Sequence, residues 1–166
     1  MQKKQSRQVF AMNEKLKINI YKGLPIILEK IKTVALASVI GKPSSWINHK
    51  LTNYVTAGVE KRFFESDLEL LNMAVESLGN EIAAHVIEFS DDREAVIAQI
   101  RELSMFVAMP YIYDKVMHQK RQWYNCRMLP RKPGGKATSF KEDDIVTINM
   151  AVMQISNELR SIEFTL

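Results

Sequence analysis

The feature that most constrains this chain is an internal repeat. Setting residue n against residue n+77 gives identities at Trp46/Trp123, Asn48/Asn125, Gly58/Gly135, Phe63/Phe140, Glu65/Glu142 and Asp67/Asp144. The block Asn72-Met73-Ala74-Val75 returns as Asn149-Met150-Ala151-Val152, and Asn80-Glu81 as Asn157-Glu158. That makes twelve identities over the 37 positions from 46 to 82, without an insertion. Helical periodicity alone would reproduce the leucines. It would not reproduce a tryptophan, an asparagine and a loop glycine at one fixed offset. The chain therefore reads as a tandem duplication. A unit of about 75 residues is marginal by itself, so two copies sharing a core is the physically reasonable product.

Within a unit, apolar spacing sets the elements. Leu68, Leu71, Val75, Leu78 and Ile82 lie three and four apart, as do Ile145, Ile148, Val152, Ile155, Leu159 and Ile162. Each set lines one helical face and predicts a helix of about 20 residues, the longest of its unit. Ser66 with Glu69, and Ser139 with Glu142, have capping-box spacing, although in different registers of the repeat. Leu24, Ile27, Leu28 and Ile31 form an earlier face, matched by Ile100, Leu103, Phe106 and Val107 in a breaker-free stretch at 97–107. Pro25 and Pro110 suit helical first turns. Residues 33–40 and 44–52 read as short helices separated by Gly41-Lys42-Pro43, where glycine supplies a positive φ and proline blocks continuation. No segment alternates as a strand does, so the fold class is expected to be all-α. Residues 53–62 and 130–139 read as long loops, the second a basic wing. The expected division is a basic, partly disordered arm at 1–18, a first repeat at 19–89 and a second at 90–166.

Charge is segregated. The formal net charge of +4 and the pI near 9.1 tilt only weakly toward a polyanionic partner. Residues 115–136 carry seven Lys or Arg and no acid, whereas residues 65–102 carry ten acids and two bases. The single cysteine, Cys126, excludes an internal disulfide framework and a thiolate-rich zinc site and fits a reducing compartment. No apolar run follows the basic start of the chain or approaches the roughly 18 residues a membrane span needs, so the expectation is a cytoplasmic protein without a membrane partner. His49, His85 and His118 are dispersed, and Gly134-Gly135-Lys136 lacks the strand and spacing of a phosphate loop. Glu88, Asp91 and Asp92 read as a solvated linker, and Glu65, Asp67, Glu142 and Asp144 as acids favouring helix N-termini. No nucleophile–base pair is visible. The chain is expected to be non-catalytic and to need no cofactor.

The stretch Leu36-Ala37-Ser38-Val39-Ile40-Gly41-Lys42-Pro43-Ser44-Ser45-Trp46-Ile47-Asn48-His49-Lys50-Leu51 resembles the helix-turn-helix of phage-repressor-like proteins. Ala37 matches the small residue at the helix crossing, Gly41 the turn, and Ile47 the apolar residue of the second helix. The resemblance implies an all-α protein of two tandem helix-turn-helix-like repeats, about four to five helices each, related by an approximate twofold axis. It implies a recognition helix at 44–51 that enters the major groove of double-stranded DNA. Pro43, Ser44, Ser45, Asn48 and His49 would face bases, with Lys42 and Lys50 on phosphates. In the second copy Leu36, Ala37 and Gly41 are matched by Tyr113, Asp114 and His118, so the motif there is degenerate. Its counterpart helix is more basic, and Lys120, Arg121, Gln122, Asn125, Arg127, Arg131, Lys132 and Lys136 are the candidate DNA ligands. If both units bind, their recognition helices should lie about 34 Å apart. The role implied is transcriptional regulation or DNA architecture.

Trp46 and Trp123 read better as core-closing residues than as base-stacking platforms. Asn72 and Asn149, poor residues for a helix interior, point to buried hydrogen bonds, with the loops of Gly58 and Gly135 as expected partners. The rival reading is a helical adaptor that binds a protein, or itself, through the apolar Met, Tyr and Phe residues around Met105 to Tyr113.

Overall fold

The computed structural model describes residues 14–53, 55–130 and 133–166, so residues 1–13 of the expected arm lie outside the described residues. Among those described there are eight helices: α1 (Ile20–Leu28), α2 (Thr33–Ile40), α3 (Ser44–Leu51), α4 (Glu65–Ala83), α5 (Arg93–Leu103), α6 (Tyr111–Val116, wound as a π-helix), α7 (Arg121–Met128) and α8 (Glu142–Ser161). The all-helical expectation holds in outline, with short strands added to it. Short strands occur at β1 (Leu16–Asn19), β2 (Val55–Thr56), β3 (Val59–Glu60) and β4 (Ile162–Thr165).

The long helices α4 and α8 form the spine, with 19 and 20 residues. Their periodic faces are buried in one apolar core that runs through both halves of the chain. The closest approach is at Gly79. A Cβ there would lie 2.8 Å from Arg160 Cγ and 3.0 Å from the Ser156 carbonyl oxygen. The fully buried Ser156 hydroxyl donates to the Gly79 carbonyl at 2.7 Å, across a sequence separation of 77. Each long helix starts on a carboxylate in its first turn: Phe64 N–H donates to Asp67 Oδ2, and Lys141 N–H to Asp144 Oδ2, both at 2.8 Å. These acids share one register of the repeat and replace the serine-based boxes read at Ser66 and Ser139.

Beyond each long helix the chain runs extended against the other long helix. Asn149 on α8 accepts from the Ile87 N–H at 2.9 Å and donates to the Ile87 carbonyl at 2.8 Å. Asn72 on α4 accepts from the Phe164 N–H at 2.7 Å and donates to the Phe164 carbonyl at 3.1 Å. Both asparagines make paired bonds, part-buried where fully buried ones were expected, and make them to these tails and not to the glycine loops. An amide side chain reproduces the donor and acceptor of a peptide unit, so it pairs with extended backbone as a neighbouring strand would. The tail after α8 also pairs, as β4, with parallel β1, with Leu16 opposite Ile162 and Asn19 opposite Thr165. The tail after α4 has a side chain in place of a strand: Gln99 accepts from the Glu88 N–H at 2.7 Å and donates to its carbonyl at 2.9 Å. Gly23 stands 76 residues before Gln99. A Cβ at Gly23 would meet Ile18 of β1 at 2.8 Å, so the glycine makes the room that β1 fills.

A second meeting of the halves lies just before α2. Ile31 and Val107, 76 apart, form an antiparallel bridge in which the Lys32 N–H donates to the Phe106 carbonyl and the Ala108 N–H to the Lys30 carbonyl. The offset then changes. Helix α2 ends at Gly41 (φ 74°), with the Lys42 N–H donating to the Ala37 carbonyl. The matching bond runs from the Gln119 N–H to the Tyr113 carbonyl and spans one more residue, with His118 (φ 54°) at the position of Gly41. The wider π turn of α6 absorbs the extra residue. Buried Leu36 is thus matched by buried Ile112, and Ala37 by Tyr113, which corrects the uniform offset while His118 stays opposite Gly41.

Smaller corrections follow the same logic. Pro25 lies inside α1 and not in its first turn, because Asn19 caps the helix earlier by accepting from the Tyr21 N–H. Asp92 is a helix cap and not free linker: its Oδ1 accepts from the N–H groups of Glu94 and Ala95 and starts α5 at Arg93.

Replacing Asn149 or Asn72 by alanine removes two bonds and strands a buried peptide unit. Each change should lower unfolding free energy by about 2–3 kcal/mol in urea titrations followed by circular dichroism, while the transition stays a single step. A loss below about 0.5 kcal/mol would show that the tails do not depend on these amides.

Candidate nucleic-acid interface

Helices α2 and α3 pack through Leu36, Ala37 and Ile47, all buried. The left-handed Gly41 lets the chain turn between them within three residues. Ile47 is the only buried residue of α3, and α7 buries none. Both short helices therefore lie on the outside of the core.

In the first unit Lys42, Pro43, Ser45 and Asn48 are exposed, while Ser44 and His49 are half-buried. Lys50 turns inward. Its ammonium is 2.7 Å from Asp67 Oδ2, donates to the Arg62 carbonyl at 2.7 Å and lies 5.1 Å from the Trp46 ring centre. In the second unit Lys120, Arg121, Gln122 and Lys136 are exposed and Asn125 is half-buried. Arg127 repeats the behaviour of Lys50. Its guanidinium lies 4.2 Å from the Trp123 ring centre, donates to the Trp123 carbonyl at 3.1 Å and places Nε 3.9 Å from Asp144. Arg131 and Lys132 lie outside the described residues. The structure thus gathers most candidates around two helix starts, and it turns Lys50 and Arg127 inward onto a carboxylate and a tryptophan ring. Charge pattern alone does not tell which way a long cation points; a carboxylate 17 residues further on in both copies was the available signal.

The tryptophans complete the same construction. Trp46 meets Phe63 edge-on at 6.0 Å, and Trp123 meets Phe140 edge-on at 5.6 Å. Cation, tryptophan, phenylalanine and carboxylate together tie each short helix to the start of the following long helix. This fits the core-closing reading.

Residues 53–62, expected as a loop, contain a hairpin. Val55 pairs with Glu60 and Thr56 with Val59 around Ala57 (φ 51°) and Gly58 (φ 77°), the two positive φ values that a tight primed turn needs. The hairpin is exposed and is followed by exposed Lys61 and Arg62, which the sequence reading missed. A cleft of about 450 Å³ separates α3 from this segment, lined by Ser45, Trp46, His49 and Lys61 among others. A cleft of about 540 Å³ lies in the corresponding place beside α7, between Gln122, Trp123 and Thr138. Residues 30–59 and 115–141 contain no Asp or Glu, so α3 and α7 each sit in an acid-free stretch, bounded by Glu60 after the first and Asp114 before the second.

Of the Met, Tyr and Phe side chains expected to form an apolar surface at 105–113, Met109 and Tyr113 are buried, Phe106 and Tyr111 are half-buried and Met105 is exposed. Among the described residues no helix is long and apolar enough to cross a membrane, and no three His, Cys, Asp or Glu side chains are placed to hold a metal ion. No protein-family model, curated protein or solved structure matches this chain.

Beneath α7, Tyr124 stacks on Tyr113 at 5.1 Å. Burial raises its pKa above the ordinary 10.0, with Tyr113 adding to the rise and Arg101 opposing it. The folded state therefore resists tyrosinate formation more than the unfolded chain does. Stability should be unaffected by this group below about pH 9 and fall as pH climbs through 10 toward the folded value. Comparing urea titrations of wild type and Tyr124→Phe from pH 8 to 11 checks this: the variant should lose less stability over the upper part of that range, and parallel curves would refute it.

Proposed function

We propose that this chain is a non-catalytic double-stranded DNA-binding protein, a transcriptional or architectural factor. In this reading two helix-turn-helix units in one chain act as a pseudo-dimer about an approximate twofold axis. The observation that carries it is the placement of α3 and α7. They are equal in length, 77 residues apart, nearly free of buried residues, and set in acid-free stretches. A helix of this exposure fits the major groove, its first-turn side chains meet base edges, and its N-terminal amides favour a phosphate. Two kinds of contact support the pseudo-dimer: equivalent residues that meet each other at separations of 76 and 77, in the Ile31–Val107 bridge and the Gly79–Ser156 crossing, and the reciprocal asparagine clamps Asn149–Ile87 and Asn72–Phe164.

The rival adaptor reading draws on exposed Met73 and Met150, equivalent positions on the two long helices. It predicts little DNA affinity at roughly 150 mM salt. Fluorescence anisotropy with mixed-sequence duplexes across a salt series separates the two. DNA binding should show log affinity falling linearly with log salt. Removing Lys120 and Arg121 together should reduce the slope by about 1.8, or about 0.9 per phosphate contact. No binding at the lowest salt would end the DNA reading.

A further inference from the structure

We infer that the DNA target is a duplex with two unlike half-sites, one read in sequence by α3 and one held through its backbone by α7. This rests on the DNA-binding reading above. The two helices occupy equivalent places in the fold, but their starts carry different chemistry. Pro43, Ser44, Ser45, Asn48 and His49 are matched 77 residues later by Lys120, Arg121, Gln122, Asn125 and Cys126. Apart from Lys42, which lies before the helix, the exposed polar groups at the start of α3 are short and neutral: Ser45 and Asn48. Such side chains reach a base edge only when the helix lies deep in the groove, and an asparagine amide matches the donor and acceptor of adenine. The exposed groups at the start of α7 are the long cations Lys120 and Arg121. These span the distance to a phosphate without close approach, and phosphate contacts carry no sequence information. Asn125, the one identity among the five pairs, is half-buried where Asn48 is exposed, beside Tyr113 and Tyr124 in a cleft below α7. It is therefore less available to a base than Asn48. The difference is confined to the helices: the segment after α3 ends on exposed Lys61 and Arg62, as residues 133–136 end on exposed Lys136.

Selection of bound duplexes from a randomised pool by the full chain tests the inference. Wild type should enrich sites whose fixed bases lie in one half, with a neighbouring half that is needed for affinity and tolerant of sequence. Asn48→Ala should lower discrimination at one base position by roughly tenfold. The double change Arg121→Ser with Gln122→Ser gives α7 the Ser-Ser-Trp start of α3. It should move the enriched site toward a palindrome by adding a second copy of the read half. Circular dichroism confirms folding, since all three substituted side chains are exposed. A palindrome enriched by wild type, fixed bases in both halves (as when Arg121 reads a guanine), or an unchanged site for the double variant would overturn the assignment. Absence of any duplex binding at low salt would sink the DNA reading itself, a different result.

Discussion

Each long helix holds the tail that follows the other, and the rest of the molecule depends on that exchange. An asparagine in a helix interior costs helix stability and, half-buried, needs partners for its amide. Asn72 and Asn149 find both partners in one peptide unit of the crossing chain, Phe164 and Ile87 respectively. The bonds need the tails to lie flat on the helices. The helices in turn must cross closely, which requires Gly79 against Ser156. Small residues, amide clamps and extended tails are therefore one requirement seen from three sides.

That requirement reaches the surface through the starts of the long helices. Asp67 and Asp144 cap their own helices and also face Lys50 and Arg127, which lie over Trp46 and Trp123. A short eight-residue helix has little stability by itself. Here each is fastened by an inward cation near its C-terminal end and, nearer its start, by Trp46 and Ile47 in α3 and by Trp123 in α7. In the proposed function the side chains that would meet DNA are those the fold does not use, Ser45 and Asn48 in α3 and Arg121 and Gln122 in α7.

Much of this was legible in the sequence, and the reasons it was or was not are physical. Helices α2, α3, α4 and α8 follow from apolar periodicity and from Gly41 and Pro43, all local signals. The β1–β4 pair was not legible, because Leu16 and Ile162 meet only through the folded core. The asparagines announced a bond without naming a partner, since an amide accepts any peptide unit that geometry brings. The extra residue in α6 hid because a π turn keeps Ile112 and Tyr113 inward while shifting the numbering by one. The hairpin was overlooked although Ala57-Gly58 sits between Val-Thr and Val-Glu, since two-residue strands barely alternate. At the candidate site, residue types were readable and directions were not, as Lys50 and Arg127 show.

The central claim is that two helical units form one body through exchanged tails. Native-state hydrogen exchange at the Ile87 and Phe164 amides tests it most directly, because these protons are the ones the asparagines hold. Both should exchange only through global unfolding, with equal free energies that match the equilibrium value and fall together with denaturant. If one of the two opened in a separate, cheaper step while the other stayed protected, the halves would be independent and the account would fail.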